Sequence, residues 1–142
     1  SWLASIFPSR CGALLPYRGV GGKRDLLGSV TGTVLAVGGT LASKGVLMKS
    51  VDHGSSWVSR GVPGAPALND VINLPNTSTW YVAGLGGFAA RSDDDGETWK
   101  QLTTNSTVDF TRLAVSGIAG AAKSVWIGGQ RRTVLGSASG GR

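Results

Sequence analysis

Two stretches decide how this chain folds: KSVDHGSSWVSRG (Lys49–Gly61) and RSDDDGETWKQLT (Arg91–Thr103). Both read Ser-x-Asp-x-Gly-x-Ser/Thr-Trp. The first copy is Ser50, Asp52, Gly54, Ser56 and Trp57; the second is Ser92, Asp94, Gly96, Thr98 and Trp99. They lie 92 − 50 = 42 residues apart. Self-similarity at a fixed spacing of this size marks a repeat architecture, in which each unit buries its faces on its neighbours.

The four carboxylates of the second copy raise the question of a metal site or an acid pair. The first copy has only Asp52, so Asp93, Asp95 and Glu97 are not part of the repeat. The stretch is no EF-hand loop either, because no acidic residue closes a twelve-residue frame. The repeated residues are read as a structural turn. Asp52 and Asp94 would accept backbone N–H bonds, and Gly54 and Gly96 would take positive φ. Ser50 and Ser92 would bond nearby main chain, and Trp57 and Trp99 would bury their rings between sheets. The other three acids are expected to be solvated. No metal and no cofactor is expected.

Short β-rich runs flank each copy: TVLAVGG (Thr33–Gly39), TWYVAG (Thr79–Gly84) and SVWIGG (Ser124–Gly129). Each is followed by a second run and, after the tryptophan, by a third. LNDVINL (Leu68–Leu74) and FTRLAV (Phe110–Val115) precede the central runs, and DLLGSV (Asp25–Val30) is assigned that place in the first unit. Four short strands per unit, with no helical periodicity, describe an antiparallel β-sheet blade. The fold class is all-β: a partial β-propeller of about three four-stranded blades.

The third unit ends in TVLGSASGGR, where Ser137, Ser139 and Gly141 occupy the first three places of a degenerate copy. Its missing Ser/Thr-Trp matches the start of the chain, Ser1-Trp2. Residues 1–7, with Ser1, Trp2 and Leu3, are therefore read as the outer strand of a blade, closing it from a neighbouring chain. From Trp2 to Leu26 there are 24 residues, against 11 from Trp57 to Leu68. The excess of 24 − 11 = 13 is placed in a non-repeat insertion at residues 8–24, and the three blades at 25–142. A closed ring needs about four to eight blades. A homo-oligomer is thus expected, with a dimer of six blades favoured over completion by another propeller chain, the alternative being that this chain is one piece of a longer propeller.

The two full copies resemble the Asp-box, or bacterial neuraminidase repeat, of sialidase-like β-propellers. With the degenerate unit the resemblance covers about Asp25–Arg142. It implies the fold; it does not imply one activity, because that family spans hydrolases, assembly factors, receptors and binding modules. Sialidase chemistry would imply an arginine triad, a tyrosine–glutamate pair and an acid/base aspartate on central loops. This chain has two tyrosines, Tyr17 and Tyr81, and one glutamate, Glu97, inside the turn. No carboxylate pair for glycoside hydrolysis emerges.

Other signals narrow the choice. The single histidine and single cysteine give no zinc set. GVGGKRD (Gly19–Asp25) lacks the spacing of a phosphate loop. No apolar run is long enough for a membrane helix, and the first residues do not read as a signal peptide, so synthesis in the cytoplasm is expected. A net charge of +6 is read first as a generic solvated surface, with a specific anionic partner as the alternative. The basic residues never run beyond two together, however, so nucleic acid is not expected. The chain is read as a non-enzyme: an interaction or structural module in a larger protein assembly, such as a phage head or tail component. Two alternatives are a glycan-binding lectin, with Trp80, Tyr81 and Trp126 stacking on sugar, and a fragment of a sialidase-like hydrolase.

Overall fold

The two eight-residue turns are built alike. Ser50 Oγ donates to Asp52 Oδ1 at 2.8 Å and accepts from Gly54 N at 2.8 Å. Asp52 accepts from Ser56 N at 2.8 Å and from the Ser56 hydroxyl. In the second turn Ser92, Asp94, Gly96 and Thr98 repeat each bond. Each indole closes its own turn: Trp57 Nε1 donates to Gly54 O at 2.9 Å and Trp99 Nε1 to Gly96 O at 3.1 Å. Gly54 and Gly96 have φ of 88° and 83°, a region that a Cβ disfavours. The hydroxyl and N–H of Ser56, then the Ser50 hydroxyl, pull the Asp52 carboxyl down to about 2. Thr98 and Ser92 do the same for Asp94.

The computed structural model describes residues 17–24, 30–39, 44–116 and 124–138. Their strands are β1 (Tyr17–Arg24), β2 (Val30–Gly38), β3 (Val46–Ser50), β4 (Val58–Arg60), β5 (Leu68–Asn73), β6 (Trp80–Gly84), β7 (Ala89–Ser92), β8 (Lys100–Gln101), β9 (Phe110–Ser116), β10 (Ser124–Gly129) and β11 (Val134–Ser137). They form three antiparallel sheets in the orders β1-β2-β3-β4, β5-β6-β7-β8 and β9-β10-β11. These are three blades of a β-propeller. The repeated turns join the third and fourth strands of the first two blades.

The first strands of successive blades, β1, β5 and β9, lie side by side. Gly19 and Gly21 permit this, since a Cβ on Gly19 would lie 2.9 Å from Asp70 Cα and one on Gly21 2.8 Å from Val71 O. Between blades one and two, Leu35, Val37 and Leu47 pack on Val71, Trp80, Val82 and Ala90. Between blades two and three, Tyr81, Ala83 and Ala89 pack on Phe110, Leu113, Val125 and Ile127. Alternation along β6 sends Trp80 to one interface and Tyr81 to the other. Polar bonds tie the second junction as well. Asn69 Nδ2 donates to Phe110 O at 2.7 Å, and Asp70 Oδ2 accepts from Leu113 N at 2.7 Å.

Three expectations are corrected. The first strand of the first blade is Tyr17–Arg24 and not Asp25–Val30. Its glycines, which read as loop, are what close approach to β5 requires. Half of the supposed 8–24 insertion is therefore sheet. Asp93, Asp95 and Glu97 are not idle solvated charges. Asp95 accepts from Lys23 at 2.7 Å and from Trp80 Nε1 at 3.1 Å. Glu97 pairs with Lys49 at 2.6 Å and Arg60 at 3.1 Å, and Asp93 pairs with Arg91 at 2.7 Å. The Asp95–Lys23 bond and both Glu97 bonds cross from blade two to blade one. Finally, Trp57 and Trp99 are half-buried rather than enclosed. Trp99 packs on the first interface core beside Gly96 and Leu35.

Trp99→Ala should cost about 3 kcal/mol in urea unfolding, the lower end for a large aromatic truncation because the ring is half-buried. The pH dependence has a definite sign. Asp52 and Asp94 have folded-state values below their ordinary value of 3.8. Their stabilisation is present above that value and is lost as pH falls from about 4 toward 2. Asp94→Asn should flatten that acid limb in unfolding curves recorded across this window.

Candidate functional site

Strand order fixes two ends. The turns between third and fourth strands occupy one end. The turns between second and third strands, and the links from one blade to the next, occupy the other. Asp52, Asp94, Asp95 and Glu97 belong to the first end. At the opposite end the turn of blade two is Leu85–Gly87, with Gly86 and Gly87 at φ of 64° and 79°. A Cβ on Gly87 would collide with the Ser106 carbonyl, so glycine is required there on both counts.

An open groove of about 770 Å³ runs across this loop end. Gly64 and Pro66 form one wall, Leu85–Phe88 the floor, and Leu102–Thr107 the other wall. Hydroxyls and backbone alternate with apolar patches. Thr104 Oγ1 donates to Gly87 O at 2.7 Å. Asp109 ties the floor to blade three: its Oδ1 accepts from Gly86 N at 2.8 Å and its carbonyl accepts from Gln130 N at 2.9 Å.

Next to that tie is the hairpin of blade three. Thr133 N bonds Gln130 O at 3.1 Å, so Arg131 and Arg132 are the two central residues of the turn. Both have positive φ, 54° and 58°. Asn-Gly is the usual solution for such a turn, and a left-handed non-glycine residue costs about 1–2 kcal/mol. Both arginines are exposed, and neither has an ion-pair partner among the described residues. Lys44 and Arg112 are exposed at the same end. The two carboxylates nearby among the described residues, Asp70 and Asp109, are committed to backbone N–H groups. Burial pushes the Asp70 carboxyl up, outweighing the N–H bonds from Leu113 and Val71 and the charge of Arg112. The loop end is thus cationic, and the turn end holds acids paired with Lys23, Lys49, Arg60 and Arg91.

The sequence-predicted residues distribute unevenly. Trp80 and Tyr81 are 0% and 1% exposed, so neither can stack on a sugar. Trp126 is 48% exposed and lies on the outer face of blade three, flat over Gly136, with Ala114 and Val134 beside it. Ser137 lies opposite Val125, as Ser50 lies opposite Val34 and Ser92 opposite Trp80. Ser1, Trp2, Leu3, Cys11, Ser139 and Gly141 lie outside the described residues. Among the described residues no three His, Cys, Asp or Glu side chains gather to hold a metal ion. The arginine hairpin was missed because nothing in the residue types of GGQRRTV announces positive φ.

No protein-family model matches the chain, and neither does any curated protein sequence. A solved structure described as YCF48 bound to D1 peptide is similar. It superposes with a TM-score of 0.57 at 16% identity, over 82% of this chain and 33% of that one. The likeness is one of fold. The chain spans about a third of the length of that neighbour.

Replacing Arg131-Arg132 by Asn-Gly should raise unfolding stability by about 1–2 kcal/mol, since asparagine and glycine accept left-handed backbone at lower cost than arginine. A thermal unfolding midpoint no higher than that of the parent chain would contradict the assignment of strain to this turn.

Proposed function

We propose that the chain is a non-catalytic β-propeller interaction module within a larger protein assembly, and that its loop end binds an acidic polypeptide segment. The observation that carries this reading is the Arg131–Arg132 pair. Two exposed guanidinium groups are held in an unfavourable backbone region with no carboxylate partner among the described residues. Residues kept in such a region against a stability cost point to a role in recognition. Guanidinium groups form strong, paired hydrogen bonds with carboxylates. The adjoining open groove, lined by hydroxyls, backbone and apolar patches, suits an extended peptide better than a compact small molecule. That a β-propeller of similar fold has been solved with a peptide is in keeping with this use of the fold.

The glycan reading loses two of its three aromatic residues to the blade interfaces. The hydrolase reading finds Glu97 held between Lys49 and Arg60, and Asp70 and Asp109 held by backbone N–H groups. The arc of three blades is completed to a ring in our reading, with a second copy of the chain as the completing unit.

A fluorescein-labelled glutamate-rich peptide should bind the chain by anisotropy, more weakly as salt is raised. Arg131→Ala/Arg132→Ala should weaken binding about tenfold or more, from the loss of two charge-assisted contacts. Equal affinity of parent and double variant, or no binding at low salt, would overturn the proposal.

A further inference from the structure

We infer that the segment bound at the loop end has a short apolar centre, seated in the groove, with acidic residues on its flanks about three to five positions away. This rests on reading the loop end as a site for an acidic polypeptide, and it states how the charge of that polypeptide is distributed. Three observations converge on it.

The first is the lining of the groove. Its walls and floor, at residues 64, 66, 85–88 and 101–107, carry no lysine, arginine, histidine, aspartate or glutamate. Pro66, Leu85 and Leu102 are half-buried there and offer apolar surface. The Thr104 hydroxyl is already committed to Gly87 O at 2.7 Å. A carboxylate seated in this groove would lose water and meet no cation, which is a costly exchange. An aliphatic side chain gains by burial against Leu85 and Leu102. A uniformly acidic chain therefore fits the groove poorly.

The second is where the cations stand. On one side Asp109 bridges the floor and the arginine hairpin: Gly86 N donates to its Oδ1 at 2.8 Å and Gln130 N to its carbonyl at 2.9 Å. Gly86 and Gln130 are thus separated by one aspartate and two hydrogen bonds, a span of roughly 10 Å. Arg131 and Arg132 come next in the chain. On the other side Gly45 N donates to Ala65 O at 3.0 Å, which sets Lys44 beside the wall formed by Gly64 and Pro66. Lys44 is exposed and has no ion-pair partner among the described residues. Positive charge flanks a neutral groove on both sides.

The third is bare backbone. Gly64 and Gly86 have φ of 71° and 64°, and a Cβ on either would meet nothing within 4 Å. Main chain of a bound segment can lie close to wall and floor at these points. An extended chain advances about 3.3 Å per residue. Three residues cover the roughly 10 Å from the floor to Gln130, and one or two more pass the arginines. Recognition surfaces commonly join an apolar centre to a polar rim in this manner.

Two fluorescein-labelled peptides with blocked ends, EEGSLVSGEE and EEGSSSSGEE, test this by anisotropy on the full chain. Their charge is equal, and acids on both sides let either chain direction reach the arginines. The leucine–valine peptide should bind tighter by about fivefold or more. Both affinities should fall as salt is raised while their ratio holds, because salt screens the charge contacts and not apolar burial. Arg131→Ala/Arg132→Ala should weaken both peptides to a similar degree, and Leu85→Ser should bring the two affinities together. Equal affinity of the two peptides for the parent chain would overturn the inference, and this comparison decides even if Leu85→Ser does not fold. A folded Leu85→Ser chain that keeps the parent's ratio would overturn it as well. In both cases, binding that still depends on Arg131 and Arg132 leaves the acidic-partner reading standing. No binding of either peptide at low salt would remove both.

Discussion

A blade in this fold is a sheet with two apolar faces, and both must be covered. This constraint organises the molecule. β6 carries Trp80 toward one neighbour and Tyr81 toward the other, and both rings are buried because blade two has a blade on each side. Blade three has a neighbour on one side among the described residues, and there Trp126 and Val134 remain exposed at 48% and 67%. The same register position changes from core to surface solely with the presence of a following blade.

The turn at Ser92–Trp99 serves that packing. Asp94 holds the loop closed through Ser92 and Thr98, which aims Asp95 and Glu97 across the junction at Lys23, Lys49 and Arg60. Glu97 is half-exposed, and exposed ion pairs contribute little energy on their own. Their use is to fix how one blade sits on the next. At the second junction Asn69 and Asp70 do this instead, by bonding directly to the backbone of β9.

Some of this was legible in the residues. The turns were, because serine, aspartate, glycine and tryptophan bond to one another within eight positions. The blade count followed from their spacing. β1 was not legible, since YRGVGGKR has no alternating apolar pattern; its glycines answer to β5, far away in sequence. The ion pairs of Asp95 and Glu97 were hidden for the same reason, their partners lying 72, 48 and 37 residues away. At the loop end the determining quantity is a backbone angle at Arg131 and Arg132, where residue type predicts the opposite.

The proposed ring makes these three blades one half of it. Imaging of single particles tests it most directly. Class averages of the purified chain viewed down the ring axis should show six lobes with twofold symmetry around a central channel. An open three-lobed arc, or a ring with a different number of lobes, would contradict it.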